Sequence, residues 1–376
     1  INGNSRAVFE YFLGYKLGLT ATPKDYIKNI DVEKLKATDP RAWEKRQLLD
    51  SYKTFGCESG DPTYRYSLLD GVRDGYLINP TVVDARTDVT TKLLADEGYA
   101  VISQGDKADE EQEETYFARD FEKKFFSEET NKMFVKTFMD NALRDPITGE
   151  IGKGIIFCVS RKHAAKITQL LNVYADMMFH GKYCSDFAMQ ITSDVMNAQT
   201  YTINFQNNNL SGTTSFLEGY KSSKTRICVT VGMMTTGYDC EDLLNIGLLR
   251  PIFSPTDFIQ IKGRGTRKHD FIFKERNGGQ EIVHEYPKET FKLFDFFGNC
   301  EYFEEKFDYD EVLKLPRFQG SRVSPGTPPV DPDGYENFAL DPLKTLVETK
   351  IGAEGMKIDR MYFDKSVSYT HLRAHE

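Results

Sequence analysis

The chain has 376 residues, a formal net charge of −9 and 40% hydrophobic residues. This composition is typical of globular proteins with two or more domains, and no apolar run reaches the roughly 18 residues of a membrane-spanning helix. The net negative charge argues against binding of nucleic acid through overall positive charge. It is compatible with binding through a narrow row of basic groups. The six cysteines form no C-x-x-C pair, so we expect no metal site and a reduced, cytoplasmic setting.

The first 80 residues begin with a predicted strand at 15–19 that leads into the polar turn Thr20-Ala21-Thr22-Pro23. Residues 30–49 are charged and predict a surface helix. The pair Asp74-Gly75 predicts a turn. The chain does not begin with Met, and we expect it to be a piece of a longer protein.

Short strands are predicted at 82–89 and 99–102. The acidic run at 106–114 is typical of a solvated loop, and we assign it no function. Residues 127–143 show the apolar spacing of an amphipathic helix. The candidate core positions of this helix are Met133, Val135, Phe138 and Met139.

A buried strand is predicted at 154–159 (GIIFCV), and Ser160 follows it at the start of a helix. Another buried strand, at 187–192, ends in Thr192. Ligands bind at the carboxyl ends of parallel strands, so Ser160, its neighbour Arg161 and the adjacent backbone amides are candidates for holding a phosphate. An ordinary helix cap with surface charges explains each of these residues equally well. We expect His163 to be a surface or packing residue.

The next segment predicts a loop at 205–214 and a short helix at 216–220. Two more buried strands follow, at 227–231 and 246–249. Alternation of strands and helices predicts an α/β fold with a parallel sheet and right-handed crossovers. Cys158 falls inside the strand predicted at 154–159 and Cys228 inside the strand predicted at 227–231, so both are predicted to be core thiols.

A helix is predicted to begin at Ser254-Pro255 and to carry two arginines. Gln260, Arg264 and Arg267 are spaced four and three residues apart, so we expect them to share one side of that helix. Glycines at 263 and 265 would let a phosphate approach the backbone. Guanidinium forks match phosphate geometry, although a solvated basic helix end is the commoner explanation of an isolated arginine pair.

Three of these segments resemble motifs of the superfamily 2 helicases in the family's order. The segment QIKGRGTR at 260–267 resembles motif VI, TTGYD at 235–239 resembles motif V, and TATP at 20–23 resembles motif III. The stretches GLTATPKD, IIFCVSRKHAAKI, MMTTGYDCED and FIQIKGRGTRK are similar, more narrowly, to the motor (R) subunit of type I restriction enzymes. This resemblance extends from Arg6 to about Asp364, and Gly232 departs from it because family members often carry an acidic residue there.

The resemblance implies a RecA-like parallel sheet with helices on both faces, in a protein that hydrolyses ATP to translocate along double-stranded DNA. It implies that ATP is bound by Gly237, Asp239, Gln260, Arg264 and Arg267. Of these, Arg264 and Arg267 would also act in catalysis. It implies DNA contacts at Thr20, Thr22, Ser160, Arg161 and Thr192. The main ligands of ATP and Mg²⁺, together with a nuclease domain, would lie upstream. Methyltransferase and specificity subunits would be the partners, with no membrane involved.

The same resemblance divides the chain into regions. Residues 355–361 (GMKIDRM) are similar to the start of a C-terminal helical region that docks on the methyltransferase core. The Pro-rich stretch at 318–335 predicts an extended linker. The expected regions are the end of a first RecA-like domain with a connector (1–80), an interdomain insertion (81–144), the second RecA-like domain (145–300), a linker (301–335), the start of the subunit-docking region (336–365) and a non-native tail (366–376).

Two alternative functions are another superfamily 2 DNA helicase or translocase and a non-catalytic, helicase-like DNA-binding module. Retention of both arginines argues against the second, and GMKIDRM favours the restriction motor over the first. The sequence contains no G-x-x-x-x-G-K-[ST] phosphate loop, because neither Gly152-Lys153 nor Gly181-Lys182 has the required spacing. We therefore expect the 376 residues alone to hydrolyse ATP negligibly.

Overall fold

A computed structural model describes residues 11–20, 51–57, 62–66, 68–85, 126, 128–214, 217, 219–234, 238–252, 255–277, 280–305, 344–351 and 356–362. Several predictions lie outside these residues: those for 30–49, 99–102, 106–114, 318–335 and 366–376, and those for Thr22 and Gly237.

The described residues form helices and strands in alternation. The helices are α1 (Ser51–Thr54), α2 (Leu68–Arg73), α3 (Glu128–Asn141), α4 (Arg161–Met178), α5 (Ala198–Gln206), α6 (Pro255–Gly263) and α7 (Asn299–Glu305). The strands are β1 (Pro80–Asp84), β2 (Gly154–Cys158), β3 (Ala188–Gln190), β4 (Thr213–Thr214), β5 (Ser222–Ser223), β6 (Ile227–Thr230), β7 (Asn245–Leu249), β8 (Asp270–Asn277), β9 (Gln280–Pro287), β10 (Phe291–Asp295), β11 (Lys344–Ile351) and β12 (Met356–Tyr362).

Eight strands form one sheet in the order β11-β12-β1-β10-β7-β2-β6-β3. Strand β11 runs antiparallel to β12, and every other neighbouring pair in this sheet is parallel. The central strands β2, β6 and β7 are fully buried, as expected for parallel strands covered on both faces. The strands predicted at 154–159, 187–192, 227–231 and 246–249 are confirmed within one or two residues.

Successive residues of each strand belong to different cores. Ile155 and Phe157 pack in a cluster that contains residues of α5, α6 and α7. Ile156 and Cys158 pack in a second cluster, which contains residues of α3 and α4. Side chains alternate across a strand, so these two clusters lie on opposite faces of the sheet. The RecA-like α/β fold, with a parallel sheet and helices on both faces, is confirmed.

Helix α3 confirms the helix predicted at 127–143. Val135, Phe138 and Met139 are buried as predicted, Met133 is partly buried, and Phe134 is a further core residue. The free thiols of Cys158 and Cys228 are buried, as the apolar runs around them predict.

Three local predictions are wrong. Residues 15–19 are exposed and form no strand. The loop predicted at 205–214 begins too early, because α5 extends to Gln206 and holds the fully buried Phe205; burial of this ring outweighs the weak helix propensity of its polar neighbours. The described residues of 216–220 are not helical, and Gly219 has a φ of +87°.

The sheet reaches beyond the range 145–300 at both ends. Strand β1 pairs with β10 on one side and with β12 on the other. Residues 356–361 of the segment predicted to open a helical docking region lie in strand β12, so the helix prediction is wrong there, while the docking role stays a prediction. Residues Phe291–Asp295 form β10 in the middle of the sheet. Strands β8 and β9 form a separate hairpin between α6 and β10, which the sequence did not predict.

Candidate functional site

The turn that carries Arg264 and Arg267 meets the loop that carries Asp239 where the parallel strands begin, here called the amino-end side of the sheet. Leu244, which precedes β7, donates its backbone N–H to the carbonyl of Lys153, which precedes β2, at 2.9 Å. Ile78, which precedes β1, donates to the carbonyl of Thr266 at 2.9 Å, and the residue before Ile78 forms a β-bridge with Arg267. The loop before β7 and the turn after α6 are therefore neighbours on this side.

Arg264 is held by backbone carbonyls from both of these segments. Its Nε donates to the carbonyl of Gln260 at 3.2 Å, and its Nη1 donates to the carbonyl of Tyr238. Partial burial lowers the pKa of Arg264, and the nearby Asp239 carboxylate opposes that shift. Because an arginine pKa lies so far above neutrality, the group stays a cation. The position of Arg264 is thus fixed before any ligand arrives.

Arg267 is directed at a carboxylate instead. Its Nε lies 3.2 Å from Oδ1 of Asp239, and the two side chains are 55% and 50% exposed. Helix α6 ends at Gly263, so the prediction that Arg264 and Arg267 lie on one side of a helix is wrong. A turn and a β-bridge place the two arginines instead.

The structure therefore brings together four of the five predicted ATP residues, namely Asp239, Gln260, Arg264 and Arg267. Two cations and one carboxylate converge at a partly exposed place. Such a set suits a polyanion that carries a bound cation or a ribose, because guanidinium groups bind phosphate and the carboxylate accepts hydrogen bonds.

Gly263 and Gly265, beside the arginines, differ in the space that is available for a side chain. A Cβ added to Gly265 would lie 2.2 Å from Cδ2 of Phe291, whose ring is fully buried. A Cβ added to Gly263 would meet nothing within 4 Å. Gly265 thus serves packing, so the prediction that it admits a phosphate is wrong, whereas Gly263 faces open space beside Arg264.

We expect Gly265→Ala to lower the free energy of unfolding by about 1–3 kcal/mol, because the new methyl group overpacks against Phe291. Gly263→Ala is the matched control and is expected to change it by less than about 0.5 kcal/mol. Hydrogen exchange of the core amides in β10 measures both effects in the full-length protein. Equal protection in the two variants would contradict the assignment of Gly265 to packing.

The predicted DNA residues lie on the opposite, carboxyl-end side of the same sheet. Arg161 begins α4 directly after β2, and its Nη1 lies 3.7 Å from the carboxylate of Asp194. Thr192, after β3, donates its hydroxyl to Asp194 at 2.5 Å. Gln190 ties the two segments together by donating to the carbonyl of Arg161 at 3.1 Å and to the Thr192 hydroxyl at 3.2 Å.

Asp194 was missed by the sequence reasoning. The hydrogen bond from Thr192 lowers its pKa, and the Arg161 guanidinium acts in the same direction. The signal available in the sequence was its place two residues after the threonine that ends a strand. Asp194 orients Arg161, which is 61% exposed and presents a positive charge at this side of the sheet.

The hydroxyls of Ser160 and Thr192 have structural partners. Ser160 caps α4 by accepting from the backbone N–H of His163 at 3.0 Å, and Thr192 is only 2% exposed. The His163 ring is fully buried, with Nε2 3.0 Å from Oδ1 of Asn131, which agrees with the packing alternative and not with the surface one. A phosphate contact at Ser160 or Thr192 stays a prediction.

Thr20 lies in the exposed stretch 11–20, outside the sheet. No group of three or more His, Cys, Asp or Glu residues suited to a metal ion occurs among the described residues. Within that same part of the chain, no helix is long and apolar enough to cross a membrane.

No protein-family model matches the chain. It is 28% identical over 306 residues to the endonuclease subunit of the type I restriction enzyme EcoAI from Escherichia coli, and 25% identical over 305 residues to that of EcoKI from Escherichia coli strain K12. These matches cover 81% and 77% of this chain but only 30% and 20% of the relatives.

A solved fragment structure assigned to an HsdR subunit of a type I restriction enzyme from Vibrio vulnificus YJ016 aligns with a TM-score of 0.43 and 23% identity. The alignment covers 69% of this chain and 39% of that one. The two sequence relatives and the motifs they accompany thus show that the chain is similar to type I restriction enzyme endonuclease (R) subunits.

Proposed function

We propose that this chain supplies the second motor domain of an ATP-dependent double-stranded DNA translocase, within the R subunit of a type I restriction endonuclease. One observation carries the proposal. The sheet presents Asp239 with Arg264 and Arg267 on its amino-end side and Arg161 with Asp194 on its carboxyl-end side. A single rigid element thus connects a candidate phosphate site to a candidate DNA-backbone site, which a motor requires.

ATP would bind between this domain and the first RecA-like domain, and Gly237 would lie near the nucleotide. The residues present fit a triphosphate, because two guanidiniums converge beside the open space at Gly263. Mg²⁺ would be held mainly by upstream residues. When bound, ATP with Mg²⁺ supplies the phosphoryl group whose transfer to water releases the free energy for movement.

Arg264 and Arg267 would have different roles in phosphoryl transfer. Arg264, fixed by the carbonyls of Tyr238 and Gln260, offers a preorganised positive charge that needs little rearrangement. Arg267 is more exposed, and its guanidinium pairs with the carboxylate of Asp239. On closure of the cleft, Arg267 would exchange part of this pairing for the transferred phosphoryl oxygens, where negative charge accumulates during transfer.

On the other side, Arg161 would contact a DNA phosphate. Thr20, Thr22, Ser160 and Thr192 would add hydroxyl or backbone contacts to the same strand track. Such contacts position the duplex without reading its sequence, so recognition is left to a specificity subunit. When the cleft closes around the nucleotide, the sheet would move as one rigid body, so its carboxyl-end side would move with it. This movement would advance the protein along the DNA.

The larger assembly is proposed from the similarity to the curated relatives. Methyltransferase and specificity subunits would bind the full-length protein in the cytoplasm, and an upstream nuclease domain would cut DNA after translocation. The chain spans 30% or less of the length of the curated relatives it matches.

The test uses the full-length protein assembled with its methyltransferase and specificity subunits. ATP hydrolysis is measured with and without DNA that holds the recognised site, and displacement of a triplex-forming oligonucleotide from downstream duplex reports translocation. We expect DNA-dependent hydrolysis and ATP-dependent displacement. The isolated 376-residue chain is the control and should hydrolyse ATP negligibly.

Three results would overturn the proposal. Hydrolysis without displacement of the triplex would indicate another superfamily 2 enzyme. DNA binding without hydrolysis would indicate a non-catalytic module. Robust turnover by the isolated chain would show that the main nucleotide contacts lie inside these 376 residues.

A further inference from the structure

The side chain of Lys288 is a buried cation on the amino-end side of the sheet. The residue is 5% exposed. Its Nζ donates to the carbonyl of Glu241 at 2.9 Å and to the carbonyl of Gly265 at 2.9 Å. The first carbonyl lies two residues after Asp239, and the second lies between the two arginines. One ammonium group therefore joins the loop that carries the carboxylate to the turn that carries the guanidiniums, and these two hydrogen bonds are here called the tether.

Lys288 is itself firmly anchored. Its backbone N–H donates to the carbonyl of His269 at 2.8 Å, and three residues later the chain enters β10 at Phe291. The Nζ lies 5.9 Å from the centre of the Phe291 ring, the same ring that packs against Gly265. Since β10 lies between β1 and β7, Lys288 is tied to the rigid middle of the sheet.

Burial of this ammonium is unfavourable by itself. Desolvation lowers the pKa of Lys288 to about 8, although Cys240, Asp242 and Glu241 act in the opposite direction. An apolar side chain at this place would avoid that desolvation but would leave two backbone carbonyls without their donor. The geometry therefore indicates a group selected for the two bonds it makes between separate segments.

We propose that Lys288 is a positioning residue, which fixes the loop at 238–242 against the turn at 264–267 and so sets Asp239 and both arginines for phosphoryl transfer. This inference rests on the proposed function, since it assigns a role within that site. Without Lys288, the two segments would remain in the fold but would move relative to each other. A displacement of about 1 Å at a reacting centre costs on the order of a hundredfold in rate.

The test compares Lys288→Met, which keeps the length and removes the donors, with Lys288→Arg, which keeps a cation and its donors. Both are made in the full-length protein within its complex. We expect Lys288→Met to lower kcat of DNA-stimulated ATP hydrolysis by about a hundredfold with little change in KM, and Lys288→Arg to recover part of that loss. Lys136→Met, on an exposed side chain of α3, is the control and should leave both constants unchanged.

A double-variant cycle separates positioning from general destabilisation. If Lys288 acts through the arginine turn, adding Lys288→Met to Arg267→Ala should cause little further loss. Full multiplication of the two losses would overturn the proposal, as would a kcat of Lys288→Met within threefold of the parent.

Hydrogen exchange supplies a readout that does not need activity. Amides at 238–242 and 264–267 should exchange faster in Lys288→Met, while those of β2 stay unchanged. If the parent protein hydrolyses no ATP but this local change occurs, the proposed function fails and the tether stands. If the parent is active and neither exchange nor kcat responds, the tether fails and the proposed function stands. Should Lys288→Met not fold, unchanged kcat and exchange in Lys288→Gln would equally overturn the tether.

Discussion

Replacing Arg267 by alanine in the full-length protein is expected to lower DNA-stimulated ATP hydrolysis by about a thousandfold while DNA binding persists. The physical reason lies in the proposed function, in which this variant would lose a positive charge that meets the phosphoryl group only as its negative charge grows. Hydrolysis, triplex displacement and DNA cleavage should fall together, because the latter two depend on the first. DNA affinity measured without nucleotide is the readout that should not change.

Arg264→Ala should give a loss of similar size, with an added cost in stability. The Arg264 side chain is partly buried and donates to the carbonyls of Tyr238 and Gln260, so its removal leaves those acceptors unsatisfied. Arg267 and Asp239 are about half exposed, and an ion pair of that kind contributes little to stability. Arg267→Ala is therefore the cleaner test of catalysis.

Two further variants sharpen the experiment. Arg267→Lys keeps the charge but loses the guanidinium fork, so we expect an intermediate rate. Arg144→Ala removes an exposed arginine that donates to the carbonyl of Gly149 at 3.0 Å and should leave hydrolysis unchanged. Unchanged hydrolysis with weakened DNA binding in Arg267→Ala would identify the arginine as a phosphate-backbone contact, and the DNA-binding module would become the better interpretation.

The sheet could be predicted because its signal is local. The run GIIFC, all of it buried in β2, shows the continuous apolar character of a strand covered on both faces. Ser160 follows that strand as a helix cap, and its hydroxyl accepts from the third residue on, as its type predicts. These two features follow from neighbouring residues alone, whereas the local pattern at 15–19 predicted a strand that does not form.

The arrangement of the arginines could not be predicted because it depends on distant partners. Spacing of four and three residues suggested a shared helix face, but α6 ends at Gly263, where Phe291 then packs against Gly265. Contact with a ring 26 residues away determines this turn, and no local pattern reveals it. The same holds for β12, whose place in the sheet comes from pairing with β1, far away in the chain.

The burial of two lysines was the other feature that could not be predicted from the sequence. Lysines are ordinarily exposed, so nothing in their local sequence distinguishes Lys153 or Lys288 from the other lysines of the chain. Both prove to be almost fully buried. In the sequence Lys153 stands out only as a member of a Gly-Lys pair without a phosphate loop, whereas in the structure its ammonium binds Asp242, in the loop that also carries Asp239.

Lys153→Met is expected to be strongly destabilising. The ammonium donates to both carboxylate oxygens of Asp242, at 2.9 and 3.1 Å, and to the carbonyl of Phe205 at 2.6 Å. The exposed fractions of the two side chains are 2% and 12%. Removing one member of a buried pair leaves the other charge uncompensated, which costs about 3–5 kcal/mol. Hydrogen exchange of the core amides in β2 and β7 measures this loss of opening free energy.

The matched control is Lys136→Met, which breaks the exposed pair with Asp140 and should cost less than about 0.5 kcal/mol. The double variant Lys153→Met with Asp242→Asn should recover much of the loss, because no buried charge is then left alone. If Lys153→Met proved as mild as the control, the pair would not stabilise the loop that leads into β7.

The pH dependence gives this prediction a definite sign. Burial tends to raise the pKa of Asp242, but the Lys153 ammonium and the hydrogen bonds from Lys153, Asn208 and Cys240 outweigh burial and lower it. A carboxylate whose pKa is lower in the folded than in the unfolded state stabilises the fold at pH values above its unfolded-state pKa. This stability is lost as the pH falls through its folded-state pKa. In Lys153→Met the lowering by the ammonium is gone while the hydrogen bonds from Asn208 and Cys240 remain, so the pKa of Asp242 rises relative to the parent and the carboxylate takes up a proton more readily. The destabilisation should therefore be largest at neutral pH and shrink in acid, whereas a loss caused only by missing packing would not change with pH.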